Sequence, residues 1–539
     1  MNILGICGGI RVGNWDSAAS LVVDGKIVAA AEEERFTRVK HAPGSLPTQA
    51  IRYCLDEGGL DIRDVDAVVF PGRTYRNMKD RLSDYFHFAH GYAPRIELCD
   101  HHEAHAASAY YTSGFSDALV VTFDYSGDRR ATTISRGVGN RIELLDHWEF
   151  PQSLGYFYAM ITQHLGFDFG EDEYKVMGLA SYGRPTVDLN WLLRSKEGAY
   201  SLAPEIMRAV TEGEPPFSPQ ERLYSSRLEA HLGPARQKRS EIEDFHKDLA
   251  SSAQRHLEDT VLALIKPFQS RYGVRNLCLA GGVAMNCVMN QRLAESGDFD
   301  AVYVSPVSGD AGLALGCALL LTASDMNIPT ERLESAAWGP GYDDGEIRKA
   351  LDEVRAPYRE VSDPEVVAAE AIAQGRIVGW YQGRMEYGAR ALGHRSILAN
   401  PQIADMKDRV NAVVKFREGF RPFAPSVTRD GADAYFENVY DSPFMTSTFT
   451  VRPAAREIIP AVTHADGTAR VQTVSPRSES LYYSLLVEVA KRTGVPAVLN
   501  TSFNIKGQPI VENPNQAIST FYGSGLDLLM AGSFVLEKK

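Results

Sequence analysis

Cysteine is scarce in this chain, with six in 539 residues, and no two stand as a CxxC pair. That excludes the usual zinc-ribbon and thioredoxin-like motifs, and it points to buried free thiols in a reducing, cytoplasmic setting. Long apolar runs are missing as well. No stretch of about 18 apolar residues occurs, so no transmembrane span is expected. The start, "MNILGICGGIRVGN", lacks the basic-then-apolar pattern of a secretory leader. Positive charge is in deficit: 56 Lys and Arg face 69 Asp and Glu, a formal net charge of -13. A general nucleic-acid partner is therefore not expected, since such proteins present a basic face. Histidine is scarce too, at 13, yet three of them fall within five positions of "CDHHEAHAASAYY".

Hydrophobic content of 44% and charged content of 23% suit a globular enzyme. The length calls for at least two domains. "SAASLVVDGKIVAAAEEE" reads as two strands about an Asp-Gly turn. "DALVVTFDYSGDRRATTISRGVGNRIELLDHWEF" repeats the scheme, with a strand ending at Asp124, a small-residue loop and two further strands. Strand, loop and hairpin recurring in order suggest a duplicated α/β domain of the actin and sugar-kinase class. Two unrelated hairpins in one α/β domain fit almost as well. Helices are expected over 47–57, 100–113 and 153–166, and a long amphipathic one over "DFHKDLASSAQRHLEDTVLALIKPFQSRYG". The polar stretch 184–245, interrupted by "GEPPFSPQ", reads as a surface excursion. "SAAWGPGYDDGE" at 335–345 marks a domain boundary, giving domains 1–340 and 345–539.

Residues four apart share one helix face, so His101 and His105 can grip one ion while His102 points elsewhere. Asp124, ending a strand, and Asp310, on the glycine-rich loop of "SPVSGDAGLALG", are candidates to complete the shell. Two imidazoles and two carboxylates suit Fe(II), Mn(II) or Zn(II) better than Mg(II). The plainer alternative is a helix start capped by Asp100, its histidines bonded to acids. "LCLAGGVAMNCVMN" places Gly281, Gly282 and Asn286 between a strand and a helix, where the backbone can approach a phosphate. "EDEYKVMGLASYG" adds Lys175 and Gly178.

Between Arg376 and Arg421, nine Lys or Arg meet four acids. Glycines, prolines and aromatics lie among the cations of "GARALGHRS" and "KFREGFRPFAPS", which a solvated helix face does not explain. The planar guanidinium suits phosphate and carboxylate, so the block reads as a small-anion pocket. "LNTSFN" adds amides and hydroxyls at a strand end.

Together, "AAEEERFTRVKH", "HHEAHAASAYY", "KVMGLASYG", "AGGVAMN", "GARALGHRSIL", "KFREGFRPFAPS", "VQTV" and "LNTSFN" closely resemble the O-carbamoyltransferases of antibiotic biosynthesis and nodulation-factor decoration. The resemblance covers nearly the whole chain. It implies an actin-like (ASKHA), two-lobed N-terminal domain and a YrdC-like α/β C-terminal domain. It implies that carbamoyl phosphate and ATP, with Mg(II), form carbamoyl-AMP in the C-terminal domain. The carbamoyl group then passes in the N-terminal domain to a hydroxyl of a small natural product. The family's iron site falls on His101, His105, Asp124 and Asp310. Its carbamoyl-phosphate and adenylation site falls on Arg390, Lys415, Arg417, Arg421, Arg470 and Asn500, and Lys40 matches a lysine facing the adenylate in the N-terminal domain.

One departure stands out. Relatives carry a His-Asp pair in the first loop, where the histidine is the natural base. Here "GNWDSAAS" keeps Asp16 but has Trp15, whose indole accepts no proton. A substitute base (His41, His102 or Asp16) is the favoured expectation, with Trp15 able to stack on the acceptor. An amine acceptor, a hydroxyl activated by the metal, or lost transferase activity are the alternatives. A tRNA-threonylcarbamoylation-type enzyme and a non-catalytic nucleotide-binding scaffold also stay open. Neither the acceptor nor the oligomeric state can be read from the sequence.

Overall fold

The computed structural model describes residues 1–9, 15–211, 221–326 and 328–538. The chain divides into two compact units, Met1–Val28 with Pro43–Arg332, and Ala29–Ala42 with Leu333–Lys539.

In the first unit one strand order occurs twice. The first sheet holds β1 (Asn2–Cys7), β2 (Ala18–Val23), β3 (Lys26–Glu32), β4 (Ala67–Pro71) and β5 (Arg95–Cys99), in the order β3-β2-β1-β4-β5. Asp24 and Gly25, both at positive φ, make the turn between β2 and β3, as an Asp-Gly pair favours. β1 runs antiparallel to β2 and parallel to β4, and β4 parallel to β5. The second sheet holds β6 (Asp117–Gly127), β7 (Arg130–Val138) and β8 (Arg141–Glu149). A hairpin of β9 (Leu193–Lys196) and β10 (Ala199–Leu202) intervenes before β11 (Asn276–Ala280) and β12 (Ala301–Val304) complete it. Its order, β12-β11-β6-β7-β8, is that of the first sheet, with β6 as the counterpart of β1. The duplication is the actin-like arrangement.

Helix α1 (His101–Tyr110) follows β5, α2 (Leu154–His164) follows β8, and α3 (Asp244–Tyr272) is the long amphipathic helix. Helix α4 (Gly312–Met326), "GLALGCALLLTASDM", is apolar on nearly every face and packs on α1, β1 and β2, as an all-round apolar helix must. The crossing with α1 is close: a Cβ on Gly316 would fall 1.8 Å from Ala104 O. The "GEPPFSPQ" interruption lies outside the described residues.

In the second unit, helices α5 (Asp344–Glu353), α6 (Pro364–Ala373), α7 (Ser480–Thr493) and α8 (Pro514–Tyr522) cover an eight-stranded mixed sheet. Its strands are β13 (Arg359–Glu360), β14 (Val378–Tyr381), β15 (Arg395–Ala399), β16 (Ala424–Thr428), β19 (Gln472–Val474), β20 (Ala497–Ser502), β21 (Leu528–Ala531) and β22 (Phe534–Glu537). The pair β17 (Thr448–Thr450) and β18 (Thr468–Arg470) stands apart. Alternation along the strands splits the core in two. Trp380, Leu398, Val498 and Met530 meet α6 and α7, while Tyr381, Ile397, Leu499 and Leu529 meet α5 and α8. Among the described residues no helix is long and apolar enough to cross a membrane.

Candidate metal centre and anion site

Asp100 caps α1, accepting from His102 N and Glu103 N. One helical turn apart, His101 and His105 each set Nε2 at 3.0 Å from Asp124 Oδ2. Asp310 Oδ1 lies 3.4 Å from His105 Nε2 and 3.8 Å from His101 Nε2. One ligand atom from each of the four falls within 4.8 Å of the others. The plainer expectation is met, with Asp100 capping the helix and the histidines meeting acids, and the same four residues form a group that could hold a metal ion. Burial opposes the His105 imidazolium, but bonds to both carboxylates outweigh it and push the group up to about 9. Asp124 is buried too, yet the two imidazoles hold its carboxyl well below the usual range. Burial, then repulsion from Asp124, raises Asp310. A buried group that recruits a proton in this way has the donors and the negative charge to hold a divalent cation.

Close backbone packing fixes Asp124. Gly281, at φ +88°, would set a Cβ 2.0 Å from Phe123 O, and one on Gly282 would lie 3.2 Å from Asp124 Oδ1. The glycine turn thus touches the metal group directly. Asn286 is engaged otherwise: it caps a short helix and exchanges amide bonds with Gln254 at 2.8 and 3.0 Å. Lys175 pairs with Asp172 at 2.9 Å, and Gly178 is buried in the same short helix.

The three expected substitute bases are dispersed. His102 is 1% exposed and shares a 2.7 Å bond with Thr122 Oγ1; burial, then the His101 charge, holds it well below its ordinary value. His41 belongs to the second unit, where its backbone N–H donates to Glu34 Oε2 at 2.6 Å. Lys40 lies in the second unit as well, and is half-buried. Asp16 stays by the first sheet. The Cys7 thiol lies 3.5 Å from Asp16 O and 3.2 Å from Asp310 O, so Asp16 adjoins the Asp310 loop. The ring of Trp15 rests on Gly170, where a Cβ would come within 2.3 Å of it.

In the second unit two of the expected anion ligands, Lys415 and Asn500, lie along the end of β20. Residues two apart on a strand face the same way, and Asn500 and Ser502 are such a pair. Asn500 Nδ2 holds Ala391 O at 3.1 Å, beside Arg390, and Ser426 Oγ at 2.9 Å. Gln472, two residues after Arg470, joins Asn500 at 3.2 Å. Ser502 O and Oγ accept from the Lys415 ammonium, as do Asn504 O at 3.0 Å and Oδ1 at 2.7 Å. Lys415 ends a π-helical turn, Asn411–Lys415, a feature frequent at functional sites. Burial, then the charges of Arg417 and Arg421, depress it well below 10.5. Arg417 lies 4.2 Å over the Phe423 ring and donates to Asn411 Oδ1 at 2.8 Å.

The basic block is not one pocket, which corrects the sequence-based expectation. Arg395 is wholly buried, lies 3.8 Å over Tyr381, and donates to the carbonyls of Gln382, Gly383 and Pro340. Arg384 donates to Trp338 O and Gly339 O. These two guanidiniums satisfy carbonyls of the fold. Counting charge along a sequence cannot separate them from ligand-facing ones. Sequence reasoning also passed over Glu32, Arg35 and Glu386, which are buried charges around the Gly388–Arg395 loop. Their signal, acids in "AAEEERFTRVKH" and "RMEYGAR", looks like ordinary surface charge.

The first unit is thus actin-like and carries a largely buried two-histidine, two-aspartate group, and the second is an α/β unit with a lysine–arginine cluster. The chain belongs to the carbamoyltransferase family. The family model for the carbamoyltransferase N-terminus matches residues 5–93 and 72–319, and that for the C-terminus matches 369–538. It is 37% identical over 566 residues to the nodulation protein NolNO of Sinorhizobium fredii, covering 97% of this chain and 79% of that protein. To the nodulation protein NolO of Bradyrhizobium diazoefficiens it is 38% identical over 454 residues, covering 82% of this chain and 79% of that one. Among solved structures, the activator of 2-hydroxyisocaproyl-CoA dehydratase from Clostridium difficile matches 60% of this chain and 96% of its own. Its identity is 16% and its TM-score 0.34. A likeness that slight carries no argument about function. The chain is a carbamoyltransferase on its sequence relatives.

Proposed function

We propose that the enzyme uses ATP, carbamoyl phosphate and one water to form carbamoyl-AMP in the second unit, with phosphate and pyrophosphate released. It then transfers the carbamoyl group in the first unit to a hydroxyl of a small natural product. Carbamate is a poor electrophile, and adenylation gives it a good leaving group. The observation that carries the reading is Lys415: a buried ammonium, met by neutral oxygens of Ser502 and Asn504, with Arg417 and Arg421 opposing its charge. Such a cluster is suited to the charge massed where donor phosphate and ATP meet. Arg390, Arg470 and Asn500 extend it.

The donor set of His101, His105, Asp124 and Asp310 fits Fe(II), with Mn(II) and Zn(II) as further candidates; Mg(II) would accompany ATP. Such an ion would supply a Lewis acid for a carbonyl or phosphoryl oxygen. The Gly281–Gly282 turn brings backbone to the same place for an adenylate. Of the candidate bases, Asp16 adjoins the Asp310 loop across the Cys7 thiol, and Trp15 offers a flat face for the acceptor.

The test is pyrophosphate release from ATP by metal-loaded protein, with and without carbamoyl phosphate. Release that depends on carbamoyl phosphate is expected. Release indifferent to it, or none, rejects the adenylation step.

A further inference from the structure

Residues 29–42 precede most of the first unit in sequence but belong to the second, and the reaction above gives their acidic run no task. Glu32 and Arg35 are 5% and 4% exposed. Arg35 Nη2 donates to Glu32 Oε1 and to Gly388 O, both at 2.9 Å, and Nη1 lies 2.7 Å from Glu34 Oε1. Glu32 Oε1 accepts from Gly388 N at 2.9 Å. One buried ion pair thus takes both the N–H and the C=O of a single glycine. Arg38 fastens the same segment, donating to Ile510 O at 2.6 Å and Pro509 O at 2.7 Å. Desolvating two charges is costly, so a buried pair is weak support for stability and better suited to fixing a conformation.

Gly388 opens the loop that carries Arg390. Beyond it, Glu386 Oε1 accepts from Leu392 N, His394 N and Arg395 N at 2.6, 2.9 and 3.2 Å. Asn500 holds Ala391 O, Gln472 Nε2 holds Leu392 O at 2.7 Å, and Trp380 Nε1 holds Gly393 O at 2.8 Å. Both flanks of the loop are gripped, and between them Ala389 is exposed and Arg390 half-buried.

We propose that Glu32 and Arg35 are positioning residues for Arg390, clamping Gly388 so that its guanidinium is presented to the phosphoryl group of the donor. The inference rests on the reading of Arg390 as an anion ligand given above. A fork held from both sides loses little freedom on binding, and most of its affinity comes from that preorganisation.

The test is a double-mutant cycle of Arg35→Met and Arg390→Ala. Arg35→Met is expected to raise KM for carbamoyl phosphate about tenfold to a hundredfold, the scale of a lost charge-assisted bond, with KM for ATP unchanged. The double variant should be no worse than Arg390→Ala alone. Independent, multiplying losses would show that the pair acts only on stability and would overturn the proposal. Arg35→Lys replaces Arg35→Met if the latter does not fold; a lysine keeps the charge but cannot meet Glu32, Glu34 and Gly388 with one planar fork. The same cycle is read in parallel by equilibrium binding of inorganic phosphate, and by hydrogen exchange of the peptide spanning Gly388. If wild-type protein releases no pyrophosphate with carbamoyl phosphate, the adenylation reading fails while these two readouts still judge the clamp. Coupled phosphate affinities, with Gly388 losing protection in Arg35→Met, support it. Additive affinities, or unchanged exchange at Gly388, reject it.

Discussion

Lys415 presents the proposed anion site's chemistry in one side chain. Its partners on Ser502 and Asn504 are neutral, and its charge is opposed by burial and by two arginines. With its folded value depressed, the native state binds fewer protons than the unfolded one between that value and the ordinary lysine range. The ligand-free enzyme should therefore gain stability from this residue as pH rises through that window. An anion prefers the charged lysine, so affinity should fall over the same window. Sulfate is the useful probe, since its own charge does not change there. Calorimetric titration should show sulfate affinity dropping with pH at values where an ordinary lysine stays charged, and Lys415→Arg should abolish the drop. A flat profile in the wild type would remove Lys415 from the anion site. How far such residues are legible differs case by case. His101 and His105 are readable because helical spacing alone puts them on one face. Arg395 is not, because burial is set by Tyr381 and by carbonyls that sequence proximity does not reveal.

At the level of elements, the metal group depends on two close approaches. α1 delivers both histidines and crosses α4 where a Cβ on Gly316 would sit 1.8 Å from Ala104 O. β6 delivers Asp124, and Gly281 packs on the Phe123 backbone just before it while holding φ +88°. Gly281→Ala combines a left-handed backbone with a steric clash, so it should cost roughly 2–4 kcal/mol. It should also lower bound metal, because the displaced backbone is that of Phe123 and Asp124. Gly273→Ala is the control: its φ is +63°, with nothing within 4 Å of the added Cβ. That variant should lose stability by about 1 kcal/mol and keep its metal. Denaturant unfolding and metal analysis separate the two; equal metal retention would contradict the packing argument. Most elements were readable, since apolar periodicity marks α2 and α3, and the Asp-Gly pair marks the first hairpin. The allegiance of residues 29–42 was not, because it is decided by Gly388, Pro509 and Ile510, hundreds of positions away.

For the whole molecule, the proposed division of labour rests on where the charges lie. The first unit concentrates negative donors around a point fit for a cation, and the second concentrates cations around a point fit for phosphates. The second unit also has two cores of its own on opposite faces of one sheet. Each half-reaction should therefore fail alone. His105→Ala removes one imidazole of the metal group; it should lose metal and carbamoyl transfer, while pyrophosphate release driven by carbamoyl phosphate stays near wild type. Arg421→Ala removes a guanidinium whose charge acts on Lys415. It should lose adenylation by about tenfold to a hundredfold, yet still transfer the carbamoyl group from supplied carbamoyl-AMP. Four assays, two variants against two half-reactions, decide the matter. Loss of both half-reactions in both variants would mean that the two sites do not work separately, and the assignment of one reaction to each unit would fall.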